Sequence, residues 1–115
     1  MRKKICIVLA LVNIIFSASI YAGAIGSGKV EMIGGQPHGQ VSVYFGINPP
    51  PTNKAPCNTH SNYHFVFDPT TDGGKALYSM LLTAEASDKT IRVNGTGNCI
   101  LGLPMEEVNY WIMNP

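Results

Sequence analysis

Polar and apolar side chains alternate along five separate runs of this chain, and this period predicts strands with one buried face. The runs cover residues 28–33, 40–47, 63–68, 90–93 and 107–113. A glycine-rich segment at residues 34–39 joins the first two runs, which are therefore predicted to form a β-hairpin. The proline-rich residues 48–56 are predicted to form a surface loop, and the glycine-rich residues 94–99 a turn.

One helix is predicted between the third and fourth strands, over residues 73–86. Apolar side chains within it recur at the i, i+3, i+4, i+7 spacing of a single buried stripe. This stripe consists of Leu77, Met80, Leu81 and Ala84. Hydroxyl and carboxylate groups at residues 70–72 precede the helix and can accept hydrogen bonds from its free N-terminal amides.

The order of these elements, three strands, one helix and two strands, predicts a mainly β fold. It is the order of the OB-fold, a small five-stranded, partly open barrel with its helix between strands three and four. An open antiparallel sheet with the helix across one face is the alternative that the same order allows. A single domain is predicted over residues 23–115.

Residues 1–22 have the three parts of an export signal. Three basic residues at positions 2–4 precede an uncharged apolar stretch at residues 5–15, and small residues follow it. Cleavage is predicted after Ala22, with processing after Ala24 as the alternative. Because the apolar stretch is shorter than the roughly 20 residues of a spanning helix, the chain is predicted to be secreted or periplasmic, and not an integral membrane protein.

Removal of this signal leaves a mildly acidic domain. Three of the eight basic residues leave with residues 1–22, and all seven acidic residues remain, so the net charge becomes about −2. Nucleic-acid binding depends on a basic surface that neutralises phosphates. The composition therefore excludes a nucleic-acid partner.

The exported part keeps two cysteines, Cys57 and Cys99, which are predicted to form a disulfide in an oxidising compartment. A metal site is the alternative, because Cys57, His60 and His64 loosely match the spacing of zinc ligands. No second cluster of cysteine and histidine completes such a site. The sequence therefore predicts neither a metal nor another cofactor.

No nucleophile with a base and no pair of carboxylates stands out as catalytic machinery. His64 and most of the acidic side chains are predicted to be solvated. Asp68 and Asp72 flank the helix start and are interpreted as caps. A non-catalytic protein is predicted, and a small secreted hydrolase that uses a histidine as its base is the third hypothesis.

Binding is the remaining class of function. Tyr44, Val66, Trp111 and Met113 are predicted to point away from the buried face, where they would form an interaction patch. Packing under the twisted sheet or the helix is the ordinary alternative. The candidate binding residues, which include a polar rim near the proline loop, are Tyr44, Asn58, His60, Asn62, Tyr63 and Trp111.

A family resemblance covers nearly the whole exported part. It is carried by Cys57 and by residues 63–68, 74–77, 81–84, 95–99 and 107–110. In these segments the chain resembles a group of small secreted bacterial proteins of uncharacterised function. More distantly, its element order and the strand at residues 91–93 are similar to the B subunits of A/B-type toxins, the subtilase cytotoxin B subunit in particular.

The toxin resemblance implies an OB-fold, assembly into a ring and recognition of a glycan. None of that family's sugar-contacting residues is matched to a position in this chain. The leading hypothesis is a secreted or periplasmic binding module for a glycan or a protein partner, as a monomer or a homo-oligomer. The alternative is a structural or inhibitor-like envelope protein without a small ligand.

Overall fold

A computed structural model describes residues 23–114, which form five strands and one helix. The elements are β1 (Ile25–Gln36), β2 (Ser42–Asn48), β3 (Phe65–Phe67), α1 (Asp72–Ala86), β4 (Thr90–Cys99) and β5 (Glu106–Asn114). The predicted signal peptide, residues 1–22, lies outside the described residues. In the described part, no helix has the length and apolar character needed to cross a bilayer.

The five strands close into a barrel in the order β1, β2, β3, β5, β4. β1 pairs antiparallel with both β2 and β4, which confirms the predicted hairpin and closes the ring. β3 and β5 run parallel, and α1 connects β3 to β4. The predicted OB-like barrel is confirmed, and the open antiparallel sheet is wrong.

The core lies between the inner face of the barrel and one stripe of α1. Phe45 of β2 packs on Phe65 and Phe67 of β3, with ring centroids 5.5 and 6.1 Å apart. From the other side, α1 contributes the predicted stripe, which is confirmed in full: Leu77, Met80, Leu81 and Ala84 are all buried. Burial of such apolar surface is the main force that holds the helix against the barrel.

The start of α1 is fixed by side chains that satisfy free amides. The Thr71 hydroxyl accepts a 2.9 Å hydrogen bond from the amide of Gly74, as expected of an N-cap residue. Just before it, the Asp68 carboxylate accepts hydrogen bonds from the Thr70 amide and hydroxyl, at 2.8 and 2.6 Å. The Thr71 contact confirms the predicted cap, and the Asp68 contacts hold the turn between β3 and α1.

The predicted turn at residues 94–99 is wrong, because β4 continues through it to Cys99. The pairing of β4 with β5 shifts register twice, between Asn94 and Gly95 and between Gly95 and Cys99. Such bulges let a strand bend without ending. Gly95 and Gly97, which favoured the prediction of a turn, therefore lie in the bulged part of β4.

The same irregularity reverses the predicted orientation of β5 beyond Val108, which packs against the core as expected. Gly95 pairs with Val108 and Asn94 with Tyr110, so one extra residue of β5 enters the ladder. A shift of one residue exchanges the two faces of a strand. Trp111 and Met113 consequently pack against the core, and Tyr110 and Ile112 are exposed.

Val66 is fully buried and does not join an outward patch either. It pairs with Tyr44 of β2, on the outer face of the sheet. The β2–β3 loop lies against this face: a methyl group at Gly46 would overlap the carbonyl oxygen of Asn62. The predicted patch of Tyr44, Val66, Trp111 and Met113 is therefore not formed.

Candidate functional site

A hollow of about 270 Å³ opens between the N-terminal end of α1, β3 and β5. We call this pocket the Trp111 hollow. The apolar part of its wall includes Trp111, Leu77 and Val108, and the polar part includes Asp68, Glu107 and Asn109. Aromatic residues thus line the same concavity as two acidic residues and an asparagine.

The position of each group follows from the local fold. The bulge opposite Gly95 sets the orientation of Trp111, which leaves the ring half-buried between core and hollow. Asp68 directly follows β3, and hydrogen bonds from Thr70 hold its carboxylate in place. The arrangement combines an apolar face with several hydrogen-bonding groups, as small-ligand sites do.

Asp68 gives the hollow a negative charge at neutral pH. A hydrogen bond from the Thr70 side chain, and to a smaller extent one from its backbone amide, lowers the pKa of Asp68 below its usual value. The carboxylate is consequently ionised and acts as a hydrogen-bond acceptor.

Asp68 also borders a second hollow of about 300 Å³. Residues 39–41 of the β1–β2 loop and Leu101 of the β4–β5 loop complete much of its wall. OB-folds bind oligonucleotides and oligosaccharides near strands two and three, between these two loops. The second hollow therefore adjoins the region where this fold class takes its ligands, and it shares Asp68 with the Trp111 hollow.

Three of the predicted binding residues meet elsewhere, in an aromatic cluster formed by Tyr44, Tyr63 and His60. The Tyr44 and Tyr63 rings are 4.6 Å apart in an edge-on arrangement, and His60 and Tyr63 are 5.1 Å apart. The Nδ1 atom of His60 accepts hydrogen bonds from the amides of Asn62 and Tyr63, both at 3.1 Å. Asn62 itself is exposed beside this cluster.

The other two predicted binding residues lie apart from the cluster. Trp111 lines the Trp111 hollow. Asn58 does not lie on the predicted polar rim, because only 4% of it is exposed. Its side chain forms hydrogen bonds inside the barrel wall. Its amide donates to the His64 carbonyl and the Glu106 carboxylate, at 3.1 and 2.8 Å.

His64 is buried, so its predicted solvation is wrong. The imidazole Nδ1 accepts a 3.1 Å hydrogen bond from the amide of Ile47, which requires that this nitrogen carry no proton. Burial lowers the pKa of His64 below its usual value, and the nearby positive charge of Lys54 lowers it further. The β2–β3 loop thus encloses a neutral histidine.

Glu106 is fully buried, in contrast to the predicted solvation of the acidic side chains. Its Oε1 accepts hydrogen bonds from the amides of Ala24 and Gly97, at 3.0 and 2.9 Å. Its Oε2 accepts from the Ala55 amide at 3.0 Å, and from Asn58. One carboxylate therefore joins the segment before β1, the β2–β3 loop, the β4 bulge and β5.

The predicted disulfide between Cys57 and Cys99 is present and links the β2–β3 loop to the end of β4. It occupies the sulfur of Cys57, so the combination of Cys57, His60 and His64 does not form a ligand set. Across residues 23–114, no group of three or more histidine, cysteine, aspartate or glutamate side chains is arranged to hold a metal ion.

The described residues thus form a small OB-like barrel with a disulfide and with hollows on either side of Asp68. No family model, curated protein or solved structure matches the chain. The geometry of the site is therefore the basis for a functional assignment.

Proposed function

We propose that this protein is an exported, non-catalytic binding module that recognises a glycan at the Trp111 hollow. The observation that carries the proposal is the placement of a half-buried tryptophan ring beside Asp68, Glu107 and Asn109 in one concavity. An indole ring offers an apolar face for the C–H groups of a sugar, and carboxylate and amide groups pair with its hydroxyls. A protein partner would contact the same surface with one inserted side chain.

The size of the hollow limits what it can enclose. Drug-sized ligands occupy pockets of roughly 300–1,000 Å³, and this hollow of about 270 Å³ falls at the lower end of that range. It suits one sugar residue of a longer glycan. The second hollow, which shares Asp68, offers room for a neighbouring residue.

The disulfide supports the exported location. Bonds of this kind persist in secreted and periplasmic proteins and are rare in a reducing cytosol. The same compartment follows from the predicted signal peptide. Ring assembly, which the toxin resemblance implies, is checked by light scattering on the protein used for the binding measurements.

The binding proposal is tested by a glycan array followed by titration of the retained saccharides. Trp111 is the only tryptophan of the chain, so its emission should shift when a ligand enters the hollow. Trp111→Ala and Asp68→Asn should each weaken binding by about tenfold or more. Tyr110→Ala is the matched control, because Tyr110 is the exposed β5 neighbour of Trp111 and should leave affinity unchanged.

Two results would contradict the proposal. The first is an array on which no saccharide is retained, together with a tryptophan emission that no saccharide changes. The second is a retained saccharide whose affinity falls with Tyr110→Ala and not with Trp111→Ala. Turnover of a bound saccharide would replace the non-catalytic assignment with that of a hydrolase.

A further inference from the structure

The two residues that precede β1 are part of the barrel wall. Ala24 is fully buried, and its carbonyl accepts a 2.7 Å hydrogen bond from the amide of Gly95. The carbonyl of Gly23 accepts a 3.1 Å hydrogen bond from the side chain of Asn53. Gly23 has a φ of +86°, and a methyl group on it would overlap the carbonyl of Gly95, so only glycine fits.

This packing distinguishes the two predicted cleavage positions. Processing after Ala24 would remove two residues that hydrogen-bond to Asn53, Gly95 and Glu106. Processing after Ala22 leaves both in place. It also makes Gly23, whose close contacts require glycine, the first residue of the exported protein.

Glu106 lacks a cationic partner among the described residues. Its four hydrogen-bond donors are neutral amides, and the one ion pair within residues 23–114 joins Lys29 to Asp88 on the surface. A buried carboxylate without an opposite charge carries a large desolvation penalty, which neutral donors offset only in part.

We propose that cleavage between Ala22 and Gly23 supplies this partner, as the α-ammonium group of Gly23. Water adds across the peptide bond, so that Ala22 leaves as a carboxylate and Gly23 gains an amine. A terminal amine with a usual pKa of about 7.7–8.0 takes up a proton at neutral pH. Processing thereby converts an uncharged amide into a cation near the buried carboxylate.

The distances fit this assignment. The Ala24 nitrogen is 3.0 Å from Oε1 of Glu106. Adjacent backbone nitrogens lie at most about 3.6 Å apart, so the Gly23 nitrogen is within about 7 Å of the carboxylate. Opposite charges at such a separation stabilise each other. The mature chain should therefore be more stable than any form in which Gly23 carries a preceding residue.

The inference rests on the export part of the proposed function, and the test separates the two. Expression of the full chain, with mass determination of the exported protein, should give a first residue of Gly23. A mature chain that starts at Ile25 would overturn the cleavage position. A chain that keeps residues 1–22 would contradict export. The ion pair is tested independently of export, on chains made with defined N-termini.

Two forms of the protein, each with its own Cys57–Cys99 disulfide intact, provide that measurement. One form starts at Gly23, and the other keeps Ala22. The form that starts at Gly23 should have an unfolding equilibrium constant about tenfold smaller, because a cation near the buried Glu106 carboxylate replaces an uncharged amide. In the Glu106→Gln background this difference should vanish, and in Glu107→Gln it should persist. Equal stability of the two wild-type forms would overturn the ion pair.

A second measurement covers the case in which Glu106→Gln does not fold. Nuclear magnetic resonance of the ¹⁵N-labelled terminal amine gives its pKa in the wild-type protein directly. The buried carboxylate should raise this pKa above the usual range for a terminal amine. A pKa within that range would overturn the proposal.

Discussion

The side-chain amide of Asn58 donates hydrogen bonds to the Glu106 carboxylate at 2.8 Å and to the His64 carbonyl at 3.1 Å. Through these two bonds, one buried side chain connects the β2–β3 loop to β5 and to the residue before β3. The loop therefore owes its position to polar contacts inside the barrel wall. It is this position that encloses His64 and brings Tyr63 against Tyr44.

We expect Asn58→Asp to lower the free energy of unfolding by about 3 kcal/mol at neutral pH. The substitution replaces a donor with a second carboxylate at the same site, and two close carboxylates cannot both ionise without strong repulsion. Urea unfolding measures the effect, which should shrink in mild acid as one carboxyl takes up a proton. Asn62→Asp is the control on the same loop, where an exposed change should stay within about 0.5 kcal/mol. Equal effects of the two substitutions would contradict the described network.

The buried His64 should make the stability of the barrel depend on pH. Its pKa in the folded protein lies below the usual value of 6.5, so the unfolded chain binds the proton more tightly. The stabilisation that follows from its neutral form is present in full above about pH 6.5, and it is lost as the pH falls below that value. The charged and titratable groups around it are Lys54, Glu31 and His60.

The measurement is urea unfolding across this range for the wild type and for His64→Gln. The wild type should lose more stability in acid than the variant, because glutamine does not titrate. His38→Gln, in the exposed β1–β2 turn, should follow the wild type. If the wild type and His64→Gln have parallel pH profiles, His64 is not the titrating group.

Local patterns predicted much of this fold and little of the candidate site. The buried stripe from Leu77 to Ala84 could be predicted from helical periodicity alone. The disulfide could be predicted from the presence of two cysteines in the exported part. The orientation of Trp111 depends on a bulge at Gly95, which is a relation between two strands. Nothing in the local sequence separates the buried Glu106 from the half-buried Glu107, because the donors of Glu106 come from residues 24, 55, 58 and 97.

Two glycine substitutions should have opposite effects on stability. Gly46→Ala should lower the free energy of unfolding by about 2 kcal/mol or more, because its methyl group would overlap the Asn62 carbonyl and displace the β2–β3 loop. Gly73→Ala should raise it by about 0.5–1 kcal/mol, since no atom lies within 4 Å of the new methyl group and alanine favours the helix. Thermal unfolding of both variants measures the contrast. A tolerated Gly46→Ala would show that the loop does not lie against β2.

The disulfide between Cys57 and Cys99 closes a segment with a sequence separation of 42 residues. Chain-entropy arguments for a loop of this length give a stabilisation of about 4 kcal/mol, because the bond restricts the unfolded chain. We expect the double variant Cys57→Ala, Cys99→Ala to lose about that amount in urea unfolding, and the reduced wild type to match it. The control is the wild type alkylated without reductant, in which neither sulfur should react and stability should be unchanged. A much smaller loss would mean that the Asn58 and Glu106 contacts alone hold the β2–β3 loop against β4.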